Sequence, residues 1–197
     1  MRTVMLAVLL LVGSACFGLA SGPIVPLADF ETRQALNSFI TWTFNVSAEQ
    51  RSDWSAHGGG STLIRFLTDA SHEQESYCFS EWVKGGFPNG NWANSERLVF
   101  EVKNPQNEAI TLRVIVLDDT DSRYEDQFEL AGGQTASLEV PIADLAAAGL
   151  NTRRIRQLWL AVPPKTMTTN PTDLYLDWVR LERSEERRVG KECRSRW

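Results

Sequence analysis

The chain has 197 residues, a formal net charge of −5 and seven tryptophans. Nucleic-acid affinity depends on a basic surface, so this acidic composition argues against DNA or RNA as a partner of the domain. The length suits a domain with a sizeable core once the two ends have been considered.

Residues 1–20 have the composition of a secretion signal. Arg2 precedes an apolar run, and small residues follow up to Ala20, the order of a charged region, an apolar region and a cleavage point. The run is short for a membrane span. Cys16 raises the alternative of a lipoprotein, although Gly13 stands where the lipobox pattern usually has Leu. We expect an exported protein that is secreted, periplasmic or held at the cell surface.

Residues 183–197, RSEERRVGKECRSRW, resemble the translation of a common short-read sequencing adapter over all fifteen positions. On this interpretation the tail is an artefact, the true C-terminus is missing and the parent protein is longer. The alternative is a basic tail that binds nucleic acid or an acidic surface.

The remaining residues, 21–182, are predicted to form one domain with 13 basic and 22 acidic side chains, a net charge of −9. That charge suits a neutral ligand or a bound cation. Cys16 and Cys193 lie in the two ends, so Cys78 has no partner for an intrachain disulfide, and we expect it to be buried.

About ten short strands are predicted, with turn signals every ten residues or so, and one helix at Ile142–Ala148 closed by Gly149. This pattern indicates an all-β sandwich or jelly roll. The predicted strands are a short one within 23–31 and then residues 36–46, 61–67, 77–83, 97–103, 110–117, 123–130, 134–141, 155–162 and 173–181.

Residues 97–119 are predicted to form a central hairpin, because two strands of period-two alternation flank the turn residues Asn104 to Asn107. The second strand is apolar at most positions of both faces. We therefore expect it in the middle of a sheet, covered on both sides.

Several motifs, taken in order, make residues 27–182 similar to a known family. The motifs are Asp29-Phe30-Glu31, AHGGGSTL at 56–63, Trp92, LVFEVKNP at 98–105 and LYLDWVRL at 174–181. With these motifs the sequence resembles the galactose-binding-like β-sandwich of carbohydrate-binding modules, which are commonly attached to secreted polysaccharide hydrolases.

The resemblance implies that the first and last strands lie side by side with a structural calcium between them. Its ligands would be Glu31, Asp177 and a carbonyl from His57 or its neighbours, and calcium prefers such hard oxygens. Trp54 stands where the family often has a further acid, and the adjacent Asp53 is a substitute. The alternative is that Glu31 and Asp177 are edge charges paired with arginines.

A sugar site needs an aromatic platform and a few fixed polar groups. Trp92 is the strongest candidate, since its loop, GGFPNGNWAN, is too polar to be buried. Trp42 and Trp159 are expected in the core. The full set of candidates is Trp82, Trp92 and Tyr124 as platforms and Arg113, Asp118 and Arg123 as polar groups.

Catalysis has little support in the sequence. No carboxylate pair sits in a recognisable motif, no nucleophile elbow is present, and the spacing of Cys and His does not suit zinc. The predicted function is therefore non-catalytic binding of a poly- or oligosaccharide by a monomer, as the N-terminal module of a truncated glycoside hydrolase. The alternatives are a protein-interaction or envelope domain of the same fold and a small polysaccharide-active enzyme.

Overall fold

The computed structural model describes residues 23–67, 75–81, 90–164, 167 and 169–183. Within these residues the chain forms eleven strands and two short helices. They are β1 (Ile24–Ala28), α1 (Arg33–Phe39), β2 (Trp42–Phe44), β3 (Val46–Arg51), β4 (Ser61–Phe66), β5 (Ser76–Glu81), β6 (Arg97–Lys103), β7 (Ile110–Asp118), β8 (Arg123–Leu130), β9 (Thr135–Pro141), α2 (Ile142–Ala147), β10 (Ile155–Val162) and β11 (Thr172–Glu182).

The strands form two antiparallel sheets. The back sheet has the order β3-β4-β11-β6-β9, with β1 also paired to β11, and the front sheet has the order β2-β5-β10-β7-β8. This arrangement is the predicted jelly-roll β-sandwich. None of the helices in the described residues is long and apolar enough to cross a membrane.

One core lies between the sheets, because period-two alternation turns one side of each strand inward. Cys78 belongs to it as predicted, a free thiol at 1% exposure whose pKa burial raises to about 12. The core strands contribute Ile64, Phe66, Phe100, Val102, Val114, Val116, Leu158, Leu160, Leu174 and Leu176, among others.

The predicted hairpin at 97–119 is wrong, although both of its strands exist. β6 lies in the back sheet and β7 in the front sheet, so the connection between them crosses from one sheet to the other. Asn104 anchors this crossing, donating from its buried side-chain amide to the carbonyls of Glu108, Leu130 and Ala131. Alternation reports which face of a strand is buried but not which strand it pairs with.

β7 lies between β10 and β8, as its apolar sequence predicted. Its expected coverage on both sides is wrong, since Thr111, Arg113 and Leu117 on its outer side are only half-buried. The front sheet therefore has a solvent face.

The single strand predicted for 36–46 is also wrong. Residues 33–39 form α1, which begins where the Thr32 hydroxyl accepts the backbone N–H of Ala35, a standard N-cap. Leu36 and Phe39, three residues apart, are its buried positions. The prediction of α2 is confirmed, and Gly149 follows it with a φ of +90°.

β11 is the longest strand and has three partners. β6 pairs with one of its edges, while β4 and β1 share the other edge. β4 pairs as far as Leu176 and β1 begins at Val179, which leaves a gap beside Asp177 and Trp178. The predicted adjacency of the first and last strands is confirmed.

Candidate functional site

The outer side of the front sheet carries five aromatic side chains, here called the aromatic face. They come from three neighbouring strands: Trp42 and Phe44 from β2, Tyr77 and Phe79 from β5, and Trp159 from β10. Strand register brings them together, because Trp42 pairs with Phe79 and Phe79 with Trp159 in one row across the sheet. Phe44 and Tyr77 form the adjacent row.

The five rings stack on one another. Phe79 and Trp159 have ring centroids 4.7 Å apart and planes 15° apart, and Tyr77 and Trp159 are at 4.8 Å and 25°. Nearly parallel rings this close must overlap face to face, so they stand up from the sheet. Ala161 occupies the position opposite Tyr77, and its small side chain lets the indole of Trp159 reach that ring.

Trp42 ends the stack on the edge strand of the front sheet. Its centroid is 6.4 Å from that of Phe79, and the side chain is 60% exposed, while the other four rings are half-buried. A surface depression of about 330 Å³, lined by residues 40–43, lies at this end. The stack therefore presents an open indole to solvent.

Fixed polar groups border the rings. The Trp159 indole Nε1 donates to Gln157 Oε1 at 2.9 Å, and Gln157 Nε2 donates to Glu81 Oε1 at 3.3 Å. Because the chain of hydrogen bonds begins on the ring itself, it orients these donors and acceptors next to the aromatic surface.

An ion-pair cluster lies on the same side of the front sheet. Arg113, which is in register with Ala161, contacts Glu75 at 2.5 Å and Glu125 at 2.6 Å. Glu125 also contacts Arg123 at 2.8 Å. The hydrogen bond from Arg113 holds the pKa of Glu125 below its usual range despite partial burial. Of the predicted sugar-binding residues, Arg113 and Arg123 are thus brought together beside the aromatic face.

Asp118 lies elsewhere and is 1% exposed. Its Oδ1 accepts the backbone N–H groups of Thr120 and Ser122 and the Thr120 hydroxyl, and its Oδ2 accepts the N–H of Asn151. Burial raises its pKa, but these hydrogen bonds outweigh burial and the pKa lies below its usual range. The carboxylate organises a loop, so the prediction that it contacts sugar is corrected.

Tyr124 is half-buried and packs against the core, on the opposite side of β8 from Arg123 and Glu125. Its hydroxyl donates to Asp126 Oδ2 at 3.3 Å, and burial together with that carboxylate raises the pKa of the tyrosine to about 12. Successive residues of a strand face opposite ways, so Tyr124 cannot share a platform with its neighbour Arg123.

Trp92 is in the core at 0% exposure, which corrects its assignment as the main sugar platform. The backbone N–H of Trp92 donates to the Thr152 carbonyl at 2.7 Å, which holds this residue against the segment before β10. The polar composition of the surrounding sequence did not reveal the direction of this one side chain. Trp82 lies outside the described residues.

Trp42 and Trp159 were expected in the core, and the structure places both on the aromatic face. The sequence carried a usable signal: in Trp42-Thr43-Phe44 and in 77–81 the large rings alternate with small residues. Thr43, Cys78 and Ser80 take the other side, so the rings point outward. The large apolar rings of Trp42 and Trp159, considered without this alternation, suggested that both point into the core.

The predicted calcium site falls at the gap beside β11. Asp177 Oδ2 accepts the backbone N–H groups of Ala56 and His57, each at 2.8 Å, and its Oδ1 accepts the N–H of Trp178 at 2.7 Å. Glu31 Oε1 accepts the Gly59 N–H at 3.0 Å. Among the described residues both carboxylates therefore bind loop amides, rather than arginines as the alternative interpretation had it.

The donor set fits a hard cation in part. Burial raises the pKa of Asp177, and the negative charge of Glu31 adds to this effect, so the two carboxylates repel each other across the gap. The His57 ring stacks on Trp178 with centroids 3.5 Å apart. Within the described part of the chain no three acid, His or Cys side chains gather at one point, so a calcium here would need backbone carbonyls as well.

No known protein-family profile and no curated protein matches the chain. Solved structures do. An exo-β-agarase matches with a TM-score of 0.65 and 13% identity over 81% of this chain and 25% of its own. The agarase AgWH50C matches with a TM-score of 0.62 and 16% identity over 81% and 26%.

A family 11 carbohydrate-binding module from Clostridium thermocellum, in complex with a β-1,3-1,4-mixed-linked tetrasaccharide, matches with a TM-score of 0.55 and 11% identity. The match covers 82% of this chain and 96% of the module. The chain thus spans about a quarter of the agarases and nearly the whole of the module. At these identities the similarity shows the fold: the chain is a jelly-roll β-sandwich like those of carbohydrate-binding modules.

Proposed function

We propose that this chain is a non-catalytic carbohydrate-binding domain whose site is the aromatic face. The observation that carries the proposal is the stack of five rings ending in Trp42, which is 60% exposed. Apolar rings gathered on a solvent face are unfavourable for an isolated soluble domain, so such a patch indicates a binding surface.

The chemistry of the aromatic face suits a sugar. A pyranose presents apolar C–H groups on its ring faces and hydroxyls around its edge, so it needs an aromatic surface with polar groups beside it. The exposed indole of Trp42 supplies the aromatic surface. Gln157 and Glu81, held in place through Trp159, supply acceptors and a donor for hydroxyls.

The wider setting belongs to the same proposal. We infer a monomeric module that is exported by residues 1–20 and attached to a secreted glycoside hydrolase, with no catalysis of its own. The structural similarity to about a quarter of two agarases supports this setting, as does the signal-like composition of the N-terminus. A calcium bound between Glu31, Asp177 and the 56–60 loop is part of the proposal, and its test is given in the Discussion.

The test is affinity electrophoresis of the purified protein through gels that contain a neutral polysaccharide, either mixed-linkage β-glucan or agarose. We expect retardation that Trp42→Ala removes or weakens up to about tenfold, since aromatic stacking is worth about 0.5 to 1.5 kcal/mol beyond the area that it buries. Trp54→Ala is the matched control, because the Trp54 ring packs at a tilt of 54° against Tyr175 of the back sheet, away from the aromatic face.

Each outcome decides between functions. Retardation that Trp54→Ala leaves intact and Trp42→Ala abolishes, with unchanged melting temperatures, supports the proposal. Equal retardation of both variants places the site elsewhere. If no neutral polymer retards the protein, the carbohydrate proposal is overturned in favour of a protein-interaction domain, and release of reducing sugars would instead indicate an enzyme.

A further inference from the structure

Glu125 occupies a special position beside the aromatic face. It is the one carboxylate shared by the two guanidinium groups of the ion-pair cluster, contacting Arg113 at 2.6 Å and Arg123 at 2.8 Å. Arg113 is enclosed further by Glu75, and only 19% of its side chain is exposed. The cluster of two arginines and two glutamates has no net charge.

The cluster lies next to the rings. Arg113 and Tyr77 are in register with the same residue, Ala161, from opposite sides. Ile115 and Phe79 likewise flank Trp159, and Ile115 is in register with Glu125. Neighbouring strands are about 4.8 Å apart, and the strands of the cluster, β7 and β8, are the first and second beyond the strand of Trp159 and the third and fourth beyond that of Trp42. A glycan that extends along the aromatic face from Trp42 past Trp159 therefore meets the cluster.

Outside this cluster, two further carboxylates of the described residues lie on the outer side of the front sheet. Glu81, in register with Gln157, lies on the β5 side, and Glu129, in register with Thr111, lies on β8. A glycan with uronate or sulfate groups would therefore meet carboxylates, and it would have to compete with Glu75 and Glu125 for the two guanidinium groups. Like-charge contacts of this kind oppose binding strongly when they are desolvated.

We propose that Glu125 determines the charge selectivity of this face: by neutralising Arg113 and Arg123 together, it restricts binding to uncharged glycans and excludes acidic ones. This inference rests on the proposed carbohydrate-binding function. It assigns to Glu125 a role in specificity rather than in stacking, and it predicts a gain of binding when the residue is changed.

The experiment compares the protein with its Glu125→Gln variant in gels that contain mixed-linkage β-glucan or polygalacturonate. Gln keeps the shape and one acceptor oxygen but leaves the two arginines with only Glu75, so the cluster gains a positive charge. We expect unchanged retardation by β-glucan and a gain of about tenfold or more in affinity for polygalacturonate. That gain should fall as salt is raised.

Glu129→Gln is the matched control, because it removes the same charge from the same side of β8 without touching either arginine. The Glu129→Gln variant should not bind polygalacturonate. The double variant with Glu125→Gln and Arg113→Gln should lose the affinity for polygalacturonate again, since it lacks the guanidinium that Glu125→Gln frees. Glu75→Gln, which frees Arg113 from the other side, gives a second variant with the same expected gain should Glu125→Gln fail to fold.

Binding of a neutral glycan separates failure of the selectivity role of Glu125 from failure of the carbohydrate-binding function. If β-glucan or agarose retards the protein and polygalacturonate binds neither the Glu125→Gln nor the Glu75→Gln variant, the selectivity role is overturned alone. Polygalacturonate binding by the unchanged protein, or an equal gain in Glu129→Gln, also overturns it. If no neutral glycan binds, the carbohydrate function falls, and this inference falls with it.

Discussion

Asp118 shows how much of a loop one buried carboxylate can organise. It stands at the end of β7 and receives three backbone N–H groups and one hydroxyl from residues 120, 122 and 151. These donors tie the β7–β8 turn to the segment before β10. Ionised acceptors form hydrogen bonds roughly twice as strong as neutral ones, so we assign to Asp118 a role in stability.

We expect Asp118→Asn to lose about 1 to 3 kcal/mol of stability at pH 7, because its amide group would face backbone donors with a further N–H. The pKa of Asp118 in the folded protein lies below its unfolded value, which is near 3.9. Its contribution is therefore present above about pH 4 and is lost as pH falls through the folded pKa. Urea unfolding of both proteins from pH 7 to pH 3 measures the difference.

The stability difference between the two proteins should be constant above about pH 4 and should narrow as pH falls below it. Asp121→Asn is the control, since this exposed residue of the same turn pairs with Arg156 on the surface, and such pairs contribute little. A stability difference that is the same at every pH would contradict an ionised role for Asp118.

The tryptophans mark the limit of prediction at single positions. The sequence offered aromatic rings and arginines as candidates for a sugar site, and Arg113 and Arg123 do lie beside the aromatic face. It misassigned Trp92 and Trp42, because a polar loop and an apolar strand each constrain the backbone and not the direction of one side chain. Trp42 points outward and Thr43, in register with the buried Cys78, faces the other way. The alternation of rings with small residues was the sequence signal for this orientation.

The turn between β8 and β9 packs directly on the connection between β6 and β7. The Gly133 N–H donates to the Gln106 carbonyl at 2.7 Å, and the Asn104 N–H donates to the Gln134 carbonyl at 2.9 Å. A Cβ on Gly132 would lie 2.0 Å from the Asn107 carbonyl oxygen. This close approach joins two connections that sequence alone would treat as separate surface loops.

Gly132→Ala should therefore destabilise the protein more than Gly133→Ala. Gly133 has a φ of +73° with open space around it, so its substitution costs about 1 to 2 kcal/mol for the left-handed backbone. Gly132→Ala forces two backbone segments apart, which costs about 1 to 3 kcal/mol or more, as overpacking does. Urea midpoints of the two variants check the order, and a smaller loss in Gly132→Ala would refute this packing.

The fold was predictable where one physical signal dominated. Period-two alternation located most of the core strands, and the Gly149 stop signal located α2. α1 was missed because Thr, Ile and Phe at 39–44 suggested one long strand, whereas Thr32 caps a helix that buries Leu36 and Phe39. The separation of β6 and β7 into different sheets was not predictable, since pairing depends on contacts between residues far apart in sequence.

The longest strand holds the sandwich together across the predicted cation site. β11 pairs with β4 before the gap and with β1 after it, and the residues flanking the gap have unusual backbones. Phe30, next to Glu31, has a φ of 53°, and Trp178, next to Asp177, has a φ of 45°. Non-glycine residues in this region cost about 1 to 3 kcal/mol each, so the gap combines backbone strain with repulsion between two carboxylates.

A divalent cation would relieve that repulsion. Because the pKa of Asp177 is raised in the folded protein, ionisation of this residue lowers the free energy of unfolding when no cation is bound. This loss is absent at pH values below the pKa of Asp177 in the unfolded chain. It is complete once the pH has risen through the pKa of Asp177 in the folded protein. A bound calcium would use the unoccupied lone pairs of both carboxylates and reverse the sign of this effect. Calcium should then stabilise the whole sandwich by joining β1 to β11.

We expect the melting temperature at pH 7 to be about 5 to 10 °C higher with calcium at a hundred times its Kd than with EGTA. Glu31→Gln should abolish the shift because it removes one of the two charges, whereas Glu49→Gln, an exposed acid on β3 that pairs with Arg51, should preserve it. Equal melting temperatures with calcium and EGTA would refute the cation site. In that case the loop amides of residues 56, 57 and 59 alone compensate the two carboxylates, and β1 is held to β11 by backbone pairing and core contacts.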